Sequence, residues 1–186
     1  MIFFGESSDM KIYCLSVYER KSGTVHLTSS EKSLGHISFF GRKFASDFID
    51  EISVEIINKI ITADTVNEQA DSVINNDYKI YLQINYDRIA TVITDHEYPV
   101  RAAARVAARM LKGDDLKVLM DEPIDPILLL QKDVESTVGI VHNNLEKIMA
   151  RGDRLDNLVE KSEQLSAASK KFYRTSKKMN SCCVVA

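Results

Sequence analysis

Two adjacent cysteines, Cys182 and Cys183, sit in the run NSCCVVA over residues 180–186, and the third cysteine, Cys14, lies far from them. Three cysteines in 186 residues are sparse, and an odd number leaves at least one thiol unpaired, so a disulfide framework accounts for them poorly. A metal site fares no better: there is no CxxC pair, and His26, His36, His96 and His142 are scattered singly. Cys183 does satisfy the C-a-a-X rule, with Val184 and Val185 as the aliphatic pair and Ala186 as a residue that usually selects farnesyl over other prenyl groups. Cys182 beside it is a second lipid candidate. A single short lipid holds a protein to a membrane only reversibly, and a basic stretch is the second signal that strengthens it. Residues 161–180 supply that stretch, with six Lys or Arg against one Glu. No other cofactor is expected. There is no GxxxxGK[ST] phosphate loop, and Cys14 falls in a strand-like run with no adjacent base, so no catalytic residue stands out.

The other residue that invites chemistry is Arg151. It falls in the middle of a seam of sixteen positions, Ile127, Leu130, Val134, Thr137, Val141, Asn144, Ile148, Arg151, Leu155, Leu158, Ser162, Leu165, Ser169, Phe172, Ser176 and Met179, which steps by three and four without a slip. Ten of the sixteen are large and apolar, which is the pattern of a coiled coil, whereas shifting the register by one draws Gln131, Glu135 and Asp156 into the core. A guanidinium in such a seam has five N–H donors and no acceptor, and leaving it unpaired in a dry layer costs several kcal/mol. Identical copies would stack Arg on Arg, so the seam asks for different partner helices offering amides or carboxylates at that level. The small layers at Asn144, Ser162, Ser169 and Ser176 leave room for bulkier partner residues. If the helix packs only on its own domain, Arg151 is instead a solvated side chain.

The elements ahead of this helix read as a separate α+β domain. KIYCLSVYER and GTVHLTSS form a hairpin around Lys-Ser-Gly. FFGRKFASDFIDEISVEIINKII repeats Phe40, Phe44, Phe48, Ile52, Ile56 and Ile60 every four residues, with Ile49 and Ile57 widening the stripe into a long amphipathic helix. After a polar loop, DYKIYLQINYDRIATVITD alternates Ile80, Leu82, Ile84 and Tyr86 with Lys79, Tyr81, Gln83 and Asn85, giving a second hairpin. EYPVRAAARVAARMLK opens a helix at Pro99, points Val100, Ala103, Ala104, Ala107 and Leu111 inward, and sets Arg101, Arg105 and Arg109 four apart as a solvated face or one that meets an acidic partner. Gly113, Pro123 and Pro126 punctuate an acidic connector. The expected organisation is an extension over 1–9, with Met10 opening the first strand, a domain over 10–112, a connector over 113–126, the coiled coil over 127–180 and a lipidated tail over 181–186.

A net charge of -3 argues against a dedicated nucleic-acid binder, and a hydrophobic share of 45% suits a globular domain with a real core. No apolar run reaches the roughly eighteen residues of a membrane span, and MIFFGESSD lacks the basic start of a secretory signal, so a protein of the cytosolic side is expected.

NNLEKIMARGDRLDNLVEKSEQLSAASKKFYRTSKKMNSCC resembles the R-SNARE motif of the prenylated longin SNAREs, the YKT-type synaptobrevin homologues. KIYCLSVY, SFFGRKFASDFI and DHEYPVRAA are similar to the longin domain of the same family, so the likeness spans nearly the whole chain. The resemblance implies a longin, or profilin-like, fold with its sheet packed between helices, followed by a long coiled-coil SNARE helix. It implies a role in vesicle docking and membrane fusion, with Arg151 as the central layer facing glutamines from three Q-SNARE helices. Ile148, Leu155, Leu158, Leu165 and Phe172 would be flanking layers. Cys183 would be modified by a prenyltransferase and Cys182 would take a second lipid. The longin domain would fold back over the SNARE helix, with Phe39, Phe40, Phe44 and Phe48 as candidates for a groove, unless they are plain core. The place of action would be the cytoplasm and the cytosolic face of Golgi, endosomal or vesicle membranes. Two other roles remain open at this stage: an acyl-binding longin protein with carrier or acyl-transferase activity, and a lipidated tether or adaptor.

Overall fold

The computed structural model describes residues 10–62, 69–75, 78–125 and 155–181. Strand β1 (Ile12–Lys21) turns through Ser22 and Gly23 into β2 (Thr24–Lys32). Both turn residues have positive φ, 51° and 81°, as a two-residue hairpin requires, and Gly23 takes the second position without steric penalty. Helix α1 (Phe39–Thr62) follows, then β3 (Gln69–Asn75), β4 (Tyr78–Asn85) and β5 (Arg88–Asp95). The five strands form one sheet in the order β2-β1-β5-β4-β3, every neighbouring pair antiparallel. Helix α1 therefore carries the chain from one edge strand to the opposite edge.

Both faces of the sheet are covered. On one face Ile52, Ile56, Ile57 and Ile60 of α1 pack on Cys14, Tyr18, Ile80, Leu82, Ile84, Ile89 and Ile93. On the other, helix α2 (Val100–Lys112) buries Ala102, Ala103, Ala107, Met110 and Leu111 against Leu15, Val17, Tyr81, Ala90 and Val92. Burying each large aliphatic side chain contributes about 1.5–3 kcal/mol, so these two layers hold the domain. The β4 alternation has the expected phase, but Tyr81, placed on the polar face by the sequence, is buried because α2 lies over it. Tyr86 lies in the β4–β5 turn, exposed and at φ 54°.

The connector read over 113–126 is, as far as Asp125, part of this packed domain. Gly113 closes α2 in the left-handed conformation at φ 99°, its N–H bonding the carbonyls of Arg109 and Met110. Asp115 then caps helix α3 (Leu116–Asp121), its Oδ1 accepting from the N–H groups of Lys117 at 2.9 Å and Val118 at 3.1 Å. Leu119 is fully buried, and Leu116, Met120 and Ile124 pack beside it on the α2 face. Three acidic residues of this stretch pair with two arginines of the row: Arg105 binds Asp125 at 3.0 Å, and Arg109 binds Asp114 at 2.7 Å and Glu122 at 2.5 Å.

Candidate functional site

Two helices from the coiled-coil segment, α4 (Leu155–Lys161) and α5 (Ala167–Ser181), lie on the α1 side of the domain. Leu158, Ser162, Leu165 and Ser169, four successive seam positions, are buried, and Phe172 and Ser176 are half-buried. Leu158, Val159 and Leu165 enter the same apolar cluster as the α1 isoleucines. In the first half of α1, the Phe48 ring stacks on Tyr173 at 5.6 Å between centroids and tilts against Phe172 at 6.1 Å. As the α1 numbering rises from 48 to 55, its partners fall from 172 to 162, so α5 runs antiparallel to α1 and heads toward its N-terminal end.

A single helix was expected across 127–180, but its described part is interrupted at residues 162–166. The sequence there, Ser-Glu-Gln-Leu-Ser, holds no Gly or Pro, so the interruption comes from tertiary contacts. Ser162 Oγ accepts from the N–H groups of Gln164 and Leu165, both at 3.2 Å, and donates to Glu55 Oε2 at 2.9 Å. Ser166 N–H donates to Glu51 Oε2 at 2.7 Å, and Ser166 Oγ caps α5 by accepting from Ser169 N–H at 3.2 Å. Asn58 adds a bond from its amide to Gln164 Oε1 at 3.1 Å. Amides released by the break thus find acceptors, Ser162 Oγ, Ser166 Oγ and the Glu51 carboxylate of α1, which removes the penalty an unsatisfied N–H would carry.

The two helices are also tied to each other. Asp156 accepts from the Tyr173 hydroxyl at 2.7 Å and from Lys177 Nζ at 2.5 Å. Glu160 accepts a two-pronged contact from Arg174, with Nε to Oε1 at 2.7 Å, and its carbonyl accepts from Lys170 Nζ at 3.2 Å. The Arg174 contact holds the Glu160 carboxyl below its usual range, while burial and the bond to Asp156 push the Tyr173 phenol up.

Of the residues singled out in the sequence, Leu158, Leu165, Phe172 and Phe48 meet in this contact. Ile148, Arg151, Cys182 and Cys183 lie outside the described residues, as do the side chains of Leu155 and Phe40. Phe39 and Phe44 stand 76% and 47% exposed and lie outside the buried core. Glu51, Glu55 and Asn58 escaped the sequence reading because a polar stripe on an amphipathic helix looks the same whether water or another helix faces it. Cys14 is fully buried, its Sγ 3.2 Å from Ser16 Oγ, and burial pushes its thiol up, an arrangement opposite to that of an activated nucleophile. Among the described residues no helix is long and apolar enough to cross a membrane.

A five-stranded antiparallel sheet between helices, followed by a segment whose heptad seam carries an arginine, defines an R-SNARE with a longin-type N-terminal domain. The synaptobrevin family model matches residues 126–185. The chain is 31% identical to the synaptobrevin homolog YKT6 of Saccharomyces cerevisiae, 29% to that of Eremothecium gossypii and 27% to ykt6 of Schizosaccharomyces pombe, in each case over 95% of this chain and 100% of the relative. The chain belongs to the YKT6-type synaptobrevin homologues, SNAREs of vesicle transport and membrane fusion.

Proposed function

We propose that this R-SNARE contributes one helix to a four-helix bundle with three Q-SNARE helices, and that its own α1 holds the same seam while the chain is free. The supporting observation is the overlap of the two surfaces: Leu158, Ser162, Leu165 and Ser169, picked out in the sequence as bundle layers, are buried in the domain contact, together with Val159 beside the seam. A seam that packs on α1 is unavailable to partner helices, so the longin domain acts as an inhibitor and the partners compete with it.

In the bundle, residues 127–180 form one helix of about 80 Å at 1.5 Å per residue. Arg151 sits at the centre, its donors met by glutamine side chains from the partners. Apolar layers are buried progressively toward the C-terminal end, and that free energy draws two bilayers together. The work is mechanical rather than catalytic.

The anchor is lipid. A prenyl group placed on Cys183 by a prenyltransferase contributes about 0.8 kcal/mol per buried CH₂, and a second lipid on Cys182 turns reversible attachment into residence. The protein then divides between the cytoplasm and the cytosolic face of Golgi, endosomal or vesicle membranes. That α5 heads toward the N-terminal end of α1, where Phe39 and Phe44 are exposed, supports the reading that these aromatics shelter the lipid in the free form. Mixing the chain with three Q-SNARE helices tests the bundle. An SDS-resistant complex is expected, weakened by Arg151→Ala and partly restored when Arg151→Gln is paired with Gln→Arg in one partner. Unchanged assembly with Arg151→Glu contradicts the reading.

A further inference from the structure

We infer that Lys170, Arg174 and Lys177 form a docking surface for anionic phospholipid headgroups, and that Asp156 and Glu160 mask it in the folded-back form. The three cations are spaced i, i+4 and i+7 along α5, so they share one stripe of the helix, and the helix leads directly to Cys182. Residues 167–181 contain five Lys or Arg and no acidic residue. Such a stripe beside a membrane-proximal tail complements a negative leaflet, each cation near the surface strengthening binding about fivefold. In this structure all three are occupied from α4: Lys177 by Asp156, Arg174 by Glu160, and Lys170 by the Glu160 carbonyl.

The masking belongs to the bent form alone. In one continuous helix Asp156 and Lys177 would stand about 31 Å apart along the axis, and Glu160 and Arg174 about 21 Å. Straightening the segment therefore frees the cations as it frees the seam, and a negative surface that takes the cations favours the straight form. None of the five residues is a seam position, so the mask can be removed without altering a bundle layer. The inference rests on the reading that α5 leads to a membrane-anchored tail, and its test uses the unlipidated full-length chain so that it fails or holds independently of the lipids.

The measurement is co-sedimentation of that chain with phosphatidylcholine vesicles with and without phosphatidylserine. Asp156→Asn together with Glu160→Gln is expected to raise binding to the anionic vesicles about fivefold or more, to leave neutral vesicles unbound, and to lose the gain in high salt. The control is Asp121→Asn with Glu163→Gln, two exposed carboxylates whose loss changes net charge equally. An equal gain in the control, or no gain in the test pair while the sheet amides stay protected, overturns the inference. Faster assembly with Q-SNARE helices without any gain on vesicles also overturns it, assigning the cations to a protein partner. SDS-resistant bundle formation by the same variants reports separately on the R-SNARE reading.

Discussion

Phe48 shows how a single side chain joins the domain to its tail. It is the α1 aromatic that meets both Phe172 and Tyr173, whereas Phe39 and Phe44 on the same helix are exposed. Phe48→Ala should loosen α5 by about 2 kcal/mol, less than the full cost of deleting a buried Phe because the ring is only half-buried. Amide exchange over 167–181 checks this, with the sheet amides as an internal standard. Cys14 allows a second check: a thiol-alkylating reagent followed by mass spectrometry should leave it unmodified in the folded chain, since burial both hides it and disfavours its thiolate. At this scale the sequence was readable where residue type is decisive, as with the four-residue repeat of Ile52, Ile56 and Ile60. It was silent on Glu51 and Glu55, because a carboxylate that accepts a hydrogen bond from a distant segment, the Ser166 N–H in one case and the Ser162 hydroxyl in the other, carries no local mark.

Helix α1 and the seam of α4 and α5 were legible as faces: among the described residues the seam positions Leu158, Ser162, Leu165 and Ser169 are buried, with Val159 beside them. The interruption at 162–166 was not, because it depends on acceptors 107 to 115 residues away in sequence. Strand β3 fell in a stretch read as a polar loop: QADSVIN lies at a sheet edge and pairs only with β4, so it needs no continuous apolar run. Helix α3 was hidden in the acidic connector, although Asp115 followed by an apolar turn is a capping signal. Ser166→Ala removes the α5 cap and should cost about 1 kcal/mol of docking, read by exchange in the first turn of α5. The Glu160–Arg174 contact adds a pH dependence. Its carboxyl titrates below the ordinary value of 4.5, so its stabilisation is present above that value and is lost as pH falls through the lowered one. The protection of the tail amides, taken relative to their intrinsic exchange rates at each pH, should accordingly hold at neutral pH and fall in acid below about pH 4.5, modestly, since the pair is exposed.

For the whole molecule, the proposal is that one apolar stripe serves two exclusive assemblies. The free chain satisfies it with α1, and the proposed bundle satisfies it with three other helices, so substitutions in the seam weaken both while substitutions on α1 weaken only the first. Phe48→Glu should therefore speed assembly with Q-SNARE helices without lowering the stability of the product, whereas Arg151→Ala should lower that stability. The most direct measurement is amide exchange on the full-length chain, alone and after mixing with three Q-SNARE helices. The account predicts slow exchange over 155–161 and 167–181 in both states, with amides of α1 near residues 48–58 becoming faster in the complex as the seam leaves them. Fast exchange over 155–181 in the free chain, or an α1 that is unchanged when the complex forms, would contradict it.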